Sequence, residues 1–322
     1  MSKSIGFEEI LAGALRLSSD QVEQLHRALD AATSEEAVLA SLDGLIGADR
    51  SCPWCTTPGA VKRGRLNGLM RYRCEAPACG KTFNALTGSP LARLHMRGKW
   101  VLFAQALLAG DTIERAAERC AIDRTTALRW RHRFLGTAAR KAKGETLGGV
   151  IEADDMVVRV SRKGSRKPLG REPRRRGGTK EPGGKDHAYV VTAFGRDGGA
   201  VMAVFERLPA GAIRYTLSHR LRQGAVIVTD AAKNFMSAMR KMGVRHVRLN
   251  IAAGERTRGI FHLQGANNAH GAIRDFLRPY RGVATVHLPL YLELYRLIKR
   301  EKIRTPSDLL AAIFAGTRIL HA

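Results

Sequence analysis

The chain has 322 residues, and its 54 Lys and Arg against 29 Asp and Glu give a formal net charge of +25 at pH 7. This length leaves room for two or three domains with a sizeable core. An enzyme of small metabolites does not need such a charge, whereas a protein that neutralises many phosphates does. No run of about 18 apolar residues occurs, and the first residues lack the apolar segment of a signal peptide. The composition therefore predicts a cytoplasmic protein that binds nucleic acid.

Apolar residues at helical spacing predict two or three short helices in residues 1–48. The last of these is predicted to begin at Ser34, which two acids follow. The apolar positions are Phe7, Ile10, Leu11, Leu15, Val22, Leu25 and Leu29. We interpret this segment as a helical subdomain for packing or interaction, because no residues suited to chemistry stand out in it.

Two pairs of cysteines mark residues 49–90. Cys52 and Cys55 form a C-x2-C pair, Cys74 and Cys79 form a C-x4-C pair, and a basic stretch with the alternation of a hairpin strand lies between them. Paired thiols in a reducing compartment favour a metal over disulfides. Four thiolates from two tight turns can close a tetrahedral Zn²⁺ site that substitutes for a small core. We therefore predict a structural zinc held by these four cysteines, the alternative being four ordinary thiols without metal.

The pattern of residues 91–140 predicts a helix-turn-helix. An apolar stripe around Trp100 is followed by Gly110-Asp111-Thr112, which ends one helix and caps the next. Asp123 is predicted to cap a further helix, Arg124 to Leu135, and such a helix places its side chains in the major groove of DNA. Ala127, Trp130 and Phe134 are predicted to face inward, and the predicted DNA-binding residues are Arg124, Thr125, Arg129, Arg131 and Arg133. The alternative is a helical hairpin without a DNA partner. The fifth cysteine, Cys120, is predicted to be a small buried hydrophobe.

From residue 146 onward the period of the apolar residues changes from helical to strand-like. Predicted strands cover 150–158, 189–194, 200–205, 224–230 and 246–250, with helices at 210–222 and 234–242. This order is typical of a ribonuclease-H-like fold, in which helices flank a mixed sheet. We expect this domain to span 146–300 and a C-terminal helical tail to span 301–322. The fold class is then multidomain α+β, with N-terminal helices, a zinc ribbon, a helix-turn-helix and a mixed α/β catalytic domain.

A Gly- and Pro-rich run at 159–185 separates the first two predicted strands. It is strongly basic and includes Arg174, Arg175 and Arg176. Such a run does not pack into a core, so we expect it to contact DNA phosphates. A solvated loop without a partner is the alternative.

A polar stretch late in the chain carries the clearest sign of chemistry. Residues 253–274 have the sequence AGERTRGIFHLQGANNAHGAIR, and at 3.6 residues per turn Asn267, His270 and Arg274 fall on one helix face. Such a face can hold a metal, a phosphate or both. Asp154 in the middle of one predicted strand and Asp230 at the end of another add carboxylates, which are costly on strands unless they are paired or bind cations.

This stretch resembles the transposases of bacterial insertion sequences of the ISXO type. That family follows roughly G-E-R-x-x-G-x-F-H-I-Q-x-x-N-x-x-H-x-x-L-K, and residues 254–274 supply nearly all of it, with Arg274 where Lys is usual. Gly265, Ala266 and Ile273 are mild departures. The sequence VIEADD at 150–155 resembles the family's V-E-x-D-E, and residues 71–91 around the second cysteine pair resemble its zinc ribbon. The resemblance covers the chain from Cys52 to about Tyr295.

The resemblance implies a divalent-metal-dependent polynucleotidyl transferase. It makes Asp154 and Asp230 catalytic ligands of Mg²⁺ or Mn²⁺, with Asn267 at the third position, and it places Arg274 near the phosphate. His270 is a further catalytic candidate on the same helix face. The choice of Asp154 over the adjacent Asp155 depends on the alignment. The Asn267 amide lacks a negative charge, but its oxygen can still bind a metal. We expect Glu152 and Glu293 to face solvent or to support the metal ligands indirectly.

The leading interpretation is an insertion-sequence transposase that binds the ends of its element and cleaves and transfers DNA strands. Its partner would be double-stranded DNA in the nucleoid, bound by a homodimer or a larger assembly. One alternative is a DNA-binding regulator derived from a transposase and without catalysis. Another is a non-specific nuclease with the same fold. Metal-dependent nicking of DNA that contains element ends separates these hypotheses.

Overall fold

Residues 12–22, 35–142, 145–165 and 187–317 are described by the computed structural model. They divide into an N-terminal unit, which comprises residues up to 88 with 92–103, and a C-terminal unit, which comprises 89–91 and the residues from 104 onward. The finer division into five segments stays a prediction. Within the described ranges, no helix is both long and apolar enough to cross a bilayer. The predicted positions Phe7, Ile10, Leu11, Leu25, Leu29, Arg174, Arg175 and Arg176 lie outside the described residues.

The N-terminal unit contains a small antiparallel sheet. Helix α1 (Glu35–Gly44) precedes strands β1 (Val61–Leu66), β2 (Leu69–Arg73) and β3 (Thr82–Phe83), which pair in the order β1-β2-β3. Asn67 and Gly68 join the first two strands with φ angles of 49° and 80°, the left-handed backbone that favours Asn-Gly in a two-residue hairpin turn. Tyr72 is buried and stacks on Phe83, with 5.6 Å between the ring centroids. This is the hairpin that the alternation of the basic stretch predicts.

Three helices follow, α2 (Trp100–Leu108), α3 (Ile113–Cys120) and α4 (Arg124–Ala142). The predicted caps are present, because Thr112 accepts the N–H of Arg115 and Asp123 accepts the N–H of Thr125. Cys120 is buried, as predicted, and so are the three apolar residues expected to face inward from α4. Helix α4 continues past Leu135, where the predicted helix ends.

A five-stranded sheet organises the C-terminal unit. Its strands are β4 (Val150–Arg159), β5 (His187–Gly195), β6 (Ala200–Phe205), β7 (Val226–Asp230) and β8 (Arg245–Leu249). Their order is β6-β5-β4-β7-β8; β5 pairs antiparallel with both β4 and β6, whereas β7 pairs parallel with both β4 and β8. The predicted mixed α/β sheet is therefore confirmed.

Helices cover both faces of this sheet. Helices α5 (Ala210–Leu217) and α6 (Lys233–Met242) pack on one face, together with Ile151, Ala153 and Ile227 of the sheet. On the other face, a short ribbon of β9 (Thr257–Arg258) and β10 (Phe261–His262) leads into α7 (Gln264–Leu277), which packs with α8 (Leu288–Tyr295) over Met156 and Val190. A π-helical turn (Arg296–Arg300) and α9 (Pro306–Ala315) complete the described chain.

Helix α5 ends at Leu217, five residues before the predicted end at 222. The chain leaves the helix there because residues 220–222 pair with Leu147 instead. The N–H of Leu147 donates to the oxygen of Arg220 at 2.6 Å, and the N–H of Arg222 donates to the oxygen of Leu147 at 2.7 Å.

The C-terminal half of α4 packs against α8 and α9, which explains its unexpected length. Thr137 and Ala138 are buried, and a Cβ at Gly316 would overlap the carbonyl oxygen of Thr137. The buried Arg296 lies beside this contact region and forms ion pairs with three carboxylates, those of Glu145, Glu293 and Glu301. Glu293 is therefore buried and structural, and the expectation that it faces solvent or supports metal ligands is wrong.

Candidate functional site

Two acids lie side by side on the parallel strands β4 and β7. Glu152 pairs with Val228 in the register of these strands, so the next positions on the same face are Asp154 and Asp230. This face is the one covered by α7, because Met156 and Val190 of the sheet pack with that helix. The alternation of side chains directs Asp155 to the opposite face.

Burial and nearby negative charge make Asp154 and Asp155 reluctant to ionise. The pKa of Asp154 is raised to about 7, mainly by burial and further by Asp155 and Asp230. The pKa of Asp155 is raised to about 6 by burial and by Asp230. Among the described residues, none of the three acids forms an ion pair with a Lys or Arg, so their charge is left without a balancing cation. Crowded carboxylates of this kind are typical of functional sites.

A buried hydroxyl and a buried imidazole fix the position of Asp154. The Thr192 hydroxyl on β5 donates to the backbone oxygen of Asp154 at 3.0 Å and lies 2.8 Å from Nε2 of His270. With the hydroxyl hydrogen directed to that oxygen, Nε2 of the imidazole carries the hydrogen that bridges to Thr192. The lone pair of Nδ1 then lies toward Asp154, 3.9 Å from its Oδ2. Burial, with help from Arg274, lowers the pKa of His270 to about 4, so the imidazole is neutral at pH 7.

The remaining predicted site residues lie on the solvent side of α7. Asn267 is exposed one turn before His270, and Arg274 is exposed one turn after it. Thus Asp154 and His270 are in contact, Asp230 lies close enough to raise the pKa of Asp154, and Asn267 is one helical turn away. Sequence reasoning missed Thr192, although a hydroxyl inside the apolar run of β5 is the signal that could have identified it.

Glu152 ties the beginning of α7 to the sheet. Its side chain is 3% exposed, and its Oε2 accepts the N–H of Ala266 at 3.1 Å. Arg196 donates to Oε1 from Nε at 3.2 Å and from Nη2 at 3.1 Å. His262 Nδ1 lies 3.3 Å from the same oxygen but without the geometry of a hydrogen bond. A Cβ on Gly265 would lie 2.9 Å from Oε2, so glycine is what allows the helix to begin this close to the carboxylate.

The four paired cysteines of the N-terminal unit converge on one point. Their sulfurs all lie within 4.8 Å of one another, with 3.8 Å between Cys52 and Cys79 and 3.5 Å between Cys55 and Cys74. Zn–S bonds of about 2.3 Å in a tetrahedron would place the sulfurs about 3.8 Å apart. The group could therefore bind zinc. Within the described residues no other set of His, Cys, Asp and Glu comes this close together, so the acids of β4 and β7 do not form a closed cage.

Helix α4 exposes part of the surface predicted to contact DNA. Arg124, Thr125 and Arg129 are exposed, and Arg133 is half-buried. Arg131 is 1% exposed, donates to the backbone oxygen of Asp111 at 2.7 Å and lies over the ring of Tyr280. The prediction that Arg131 is available to DNA is therefore wrong, because α4 is buried on this side as well as along its apolar stripe.

Residues 146–296 match the family model of the ISXO2-like transposase domain. No curated protein is significantly similar to the chain in sequence. Among solved structures, the pre-cleavage Mos1 transpososome is 12% identical over 65% of this chain and 77% of that chain, with a TM-score of 0.23. The Mos1 transposase paired-end complex with the left transposon end is 12% identical over 68% and 79%, with a TM-score of 0.24. TM-scores this low do not establish a shared fold. The family match, by contrast, covers the central sheet and helix α7, where the predicted site residues lie. Residues 146–296 are therefore similar to the ISXO2-like transposase domain, which confirms the resemblance to insertion-sequence transposases in this part of the chain.

Proposed function

We propose that this protein binds the ends of an insertion sequence and cleaves and transfers DNA strands with the help of divalent metal ions. The observation that carries the proposal is the proximity of Asp154 and Asp230 on neighbouring parallel strands, close enough for Asp230 to raise the pKa of Asp154, inside the ISXO2-like domain. The mixed sheet β6-β5-β4-β7-β8 with helices on both faces supports a ribonuclease-H-like catalytic domain, since the order of strands and helices along the chain is typical of that fold.

The side chains of this site suit Mg²⁺ or Mn²⁺. Asp154, Asp230 and the amide of Asn267 offer hard oxygen ligands, and the raised pKa of Asp154 marks a carboxylate that lacks a counter-charge. When bound, such ions would activate the attacking oxygen and stabilise the leaving one. Thr192 links the backbone of Asp154 to the His270 imidazole, and Arg274 would contact a DNA phosphate.

The modules before the catalytic domain would deliver DNA to it. We propose that Cys52, Cys55, Cys74 and Cys79 hold a structural Zn²⁺ in a zinc ribbon, supported by the spacing of their sulfurs. Helices α3 and α4 would act as a helix-turn-helix, with the exposed Arg124 and Arg129 toward DNA. Two ends of one element must be brought together, so we expect a homodimer or a larger assembly on DNA.

Strand cleavage with Mg²⁺ or Mn²⁺ on DNA that carries the element ends tests the catalytic proposal. Asp154→Asn and Asp230→Asn should each abolish cleavage and transfer while DNA binding persists. Asp155→Asn is the matched control, because this neighbouring acid points to the other face, and it should retain activity. Full activity of Asp154→Asn or Asp230→Asn would refute the proposal.

Asn267 favours a second candidate function, that of a DNA-binding regulator without catalysis, because an amide removes a charge from the metal site. A regulator would bind element ends and leave them uncut at any Mg²⁺ or Mn²⁺ concentration. If Asn267 is a ligand, Asn267→Ala should depress cleavage severely and Asn267→Asp should keep part of it. Nearly wild-type cleavage by Asn267→Ala would remove this residue from the site.

A further inference from the structure

A cavity of about 770 Å³ opens beside α7 in the C-terminal unit. Its walls are the end of β4 with the residues that follow it, the C-terminal part of α7, and residues 282–288. Val158, Leu277 and Leu288 supply an apolar floor. Basic side chains surround this floor, and we call them the basic rim: Arg159, Arg162, Lys163, Arg274 and Arg278.

Hydrogen bonds hold the walls of this cavity together. The N–H of Thr285 donates to the backbone oxygen of Ser161 at 2.8 Å, and the N–H of Ser161 donates to the Thr285 hydroxyl at 2.8 Å. Lys163 Nζ donates to the backbone oxygen of Arg281 at 3.4 Å. Segments that are far apart in sequence are thus fastened to each other on both sides of the opening, so the cavity belongs to the fold.

The charge of the cavity selects an anion. Among the described residues, five lining residues are cationic and none is acidic. The nearest carboxylates lie outside it, where Asp275 pairs with Arg278 at 2.6 Å and Lys163 contributes to a lowered pKa of Glu114. A phosphate alone would use the rim and leave the apolar floor in water. The volume lies within the range of about 300–1,000 Å³ that organic ligands occupy.

The cavity lies close enough to the proposed active site for one DNA strand to reach both. Val158 is on the same face of β4 as Asp154, and Arg274 is on the same face of α7 as Asn267. Asn267 and Arg274 are about 10 Å apart along the helix axis, which corresponds to about three nucleotides of a stacked strand. A strand whose phosphate lies at Asp154 therefore reaches the basic rim within a few nucleotides.

We infer that this cavity binds an unpaired nucleotide of the DNA strand, with its base on the floor of Val158, Leu277 and Leu288 and its phosphates on the basic rim. The inference rests on the proposed function for the direction of the strand. A paired base is held in its stack and cannot enter a concave site. Only a single-stranded segment offers a base and a phosphate to the cavity together, as proteins that bind single strands require.

Binding of oligothymidine to the full chain tests the inference. Fluorescence anisotropy in EDTA would compare this single strand with a duplex of the same length, for the wild type and for Leu277→Gln and Arg278→Ala. We expect both variants to weaken single-strand binding about five- to tenfold and to change duplex binding less than twofold. Arg240→Ala, an exposed arginine on α6 at the other face of the sheet, is the matched control and should change neither.

Equal losses for single strand and duplex would refute the inference, since the cavity would then be a groove for backbone phosphates. Unchanged single-strand binding in both variants would also refute it. Arg278 is exposed, so its variant keeps the test decisive even if Leu277→Gln unfolds. The assay needs neither metal nor catalysis and can be repeated in Asp154→Asn. Its failure is therefore distinct from a failure of the proposed transposase activity.

Discussion

Replacing Gly265 with alanine tests how tightly the beginning of α7 is held against β4. A Cβ at this position would lie 2.9 Å from Oε2 of Glu152. That carboxylate cannot move aside freely, because it accepts the N–H of Ala266 and is held by Arg196 on its other oxygen. Gly271, six residues later in the same helix, is the matched control, since its Cβ would have nothing within 4 Å.

The two substitutions should change stability in opposite directions. At Gly271, alanine should raise the free energy of unfolding by up to about 1 kcal/mol, the difference in helix propensity between the two residues. At Gly265 the same gain is opposed by the loss of a hydrogen bond to a charged group, which is worth about 1.5–3 kcal/mol. Water cannot replace that bond readily, because Glu152 is 3% exposed. We therefore expect Gly265→Ala to be destabilised by about 0.5–2 kcal/mol, and the two variants to differ by about 1.5–3 kcal/mol.

Urea unfolding followed by tryptophan fluorescence measures this difference, and Trp130 reports on the C-terminal unit. Helix α7 also carries Asn267, so Gly265→Ala should reduce DNA cleavage more than Gly271→Ala at a temperature where both are folded. Equal unfolding midpoints for the two alanine variants would refute the reasoning. Glu152 would then be free to move, and the beginning of α7 would not depend on it.

Three further predictions concern the remaining modules. Cys74→Ser should reduce bound zinc from one equivalent per chain to almost none and unfold the N-terminal unit, whereas Cys120→Ala should keep its zinc, as metal analysis would show. Arg129→Ala should lower the slope of log affinity for DNA against log salt by about 1, whereas Arg131→Ala should instead lower the free energy of unfolding by about 2–3 kcal/mol. Burial and the neighbouring His287 and Arg131 lower the pKa of His132 from 6.5 to about 4. As the pH falls from about 6.5 to about 4, His132 is therefore protonated in the unfolded chain but not in the folded one, so the free energy of unfolding should decrease over this range. His132→Phe should remove part of that fall in urea unfolding measured between pH 7 and about pH 4, and an unchanged pH profile would contradict the assignment.

The sequence predicted the structure correctly where a single periodicity, helical or strand-like, determines the element. The strands of the central sheet and the caps of α3 and α4 follow the predicted positions closely. The positions of Asp154 and Asp230 on strands were predicted too, in the middle of β4 and at the end of β7. The choice between Asp154 and Asp155 needed the register of β4 against β7, which the sequence does not display.

Features that depend on contacts with several elements at once could not be predicted from the sequence. Helical periodicity identifies one buried stripe, but α4 is also buried on a second side, so Arg131 was assigned to the wrong environment. Glu293 was misjudged for the same reason, because its partner Arg296 is buried only when α8 and the following turn pack together. The basic rim is formed by segments from three parts of the chain, and no spacing within any one of them indicates a cavity.

Helix α4 has 19 residues, so it is a continuous rod of about 28 Å. One end presents Arg124 and Arg129 to the proposed DNA surface, while the other is locked by Thr137 against Gly316. Each helical residue adds about 100° of rotation, so the number of residues between the two ends fixes the direction in which the DNA-facing side chains point relative to the packed end. One residue inserted after Gly136 would swing the DNA-facing end by about a quarter of a circle, whereas seven would restore it to within about 20°. Changes in the length of α4 should therefore keep the direction of the recognition end only when they add or remove a nearly whole number of turns, such as about seven, 11 or 18 residues.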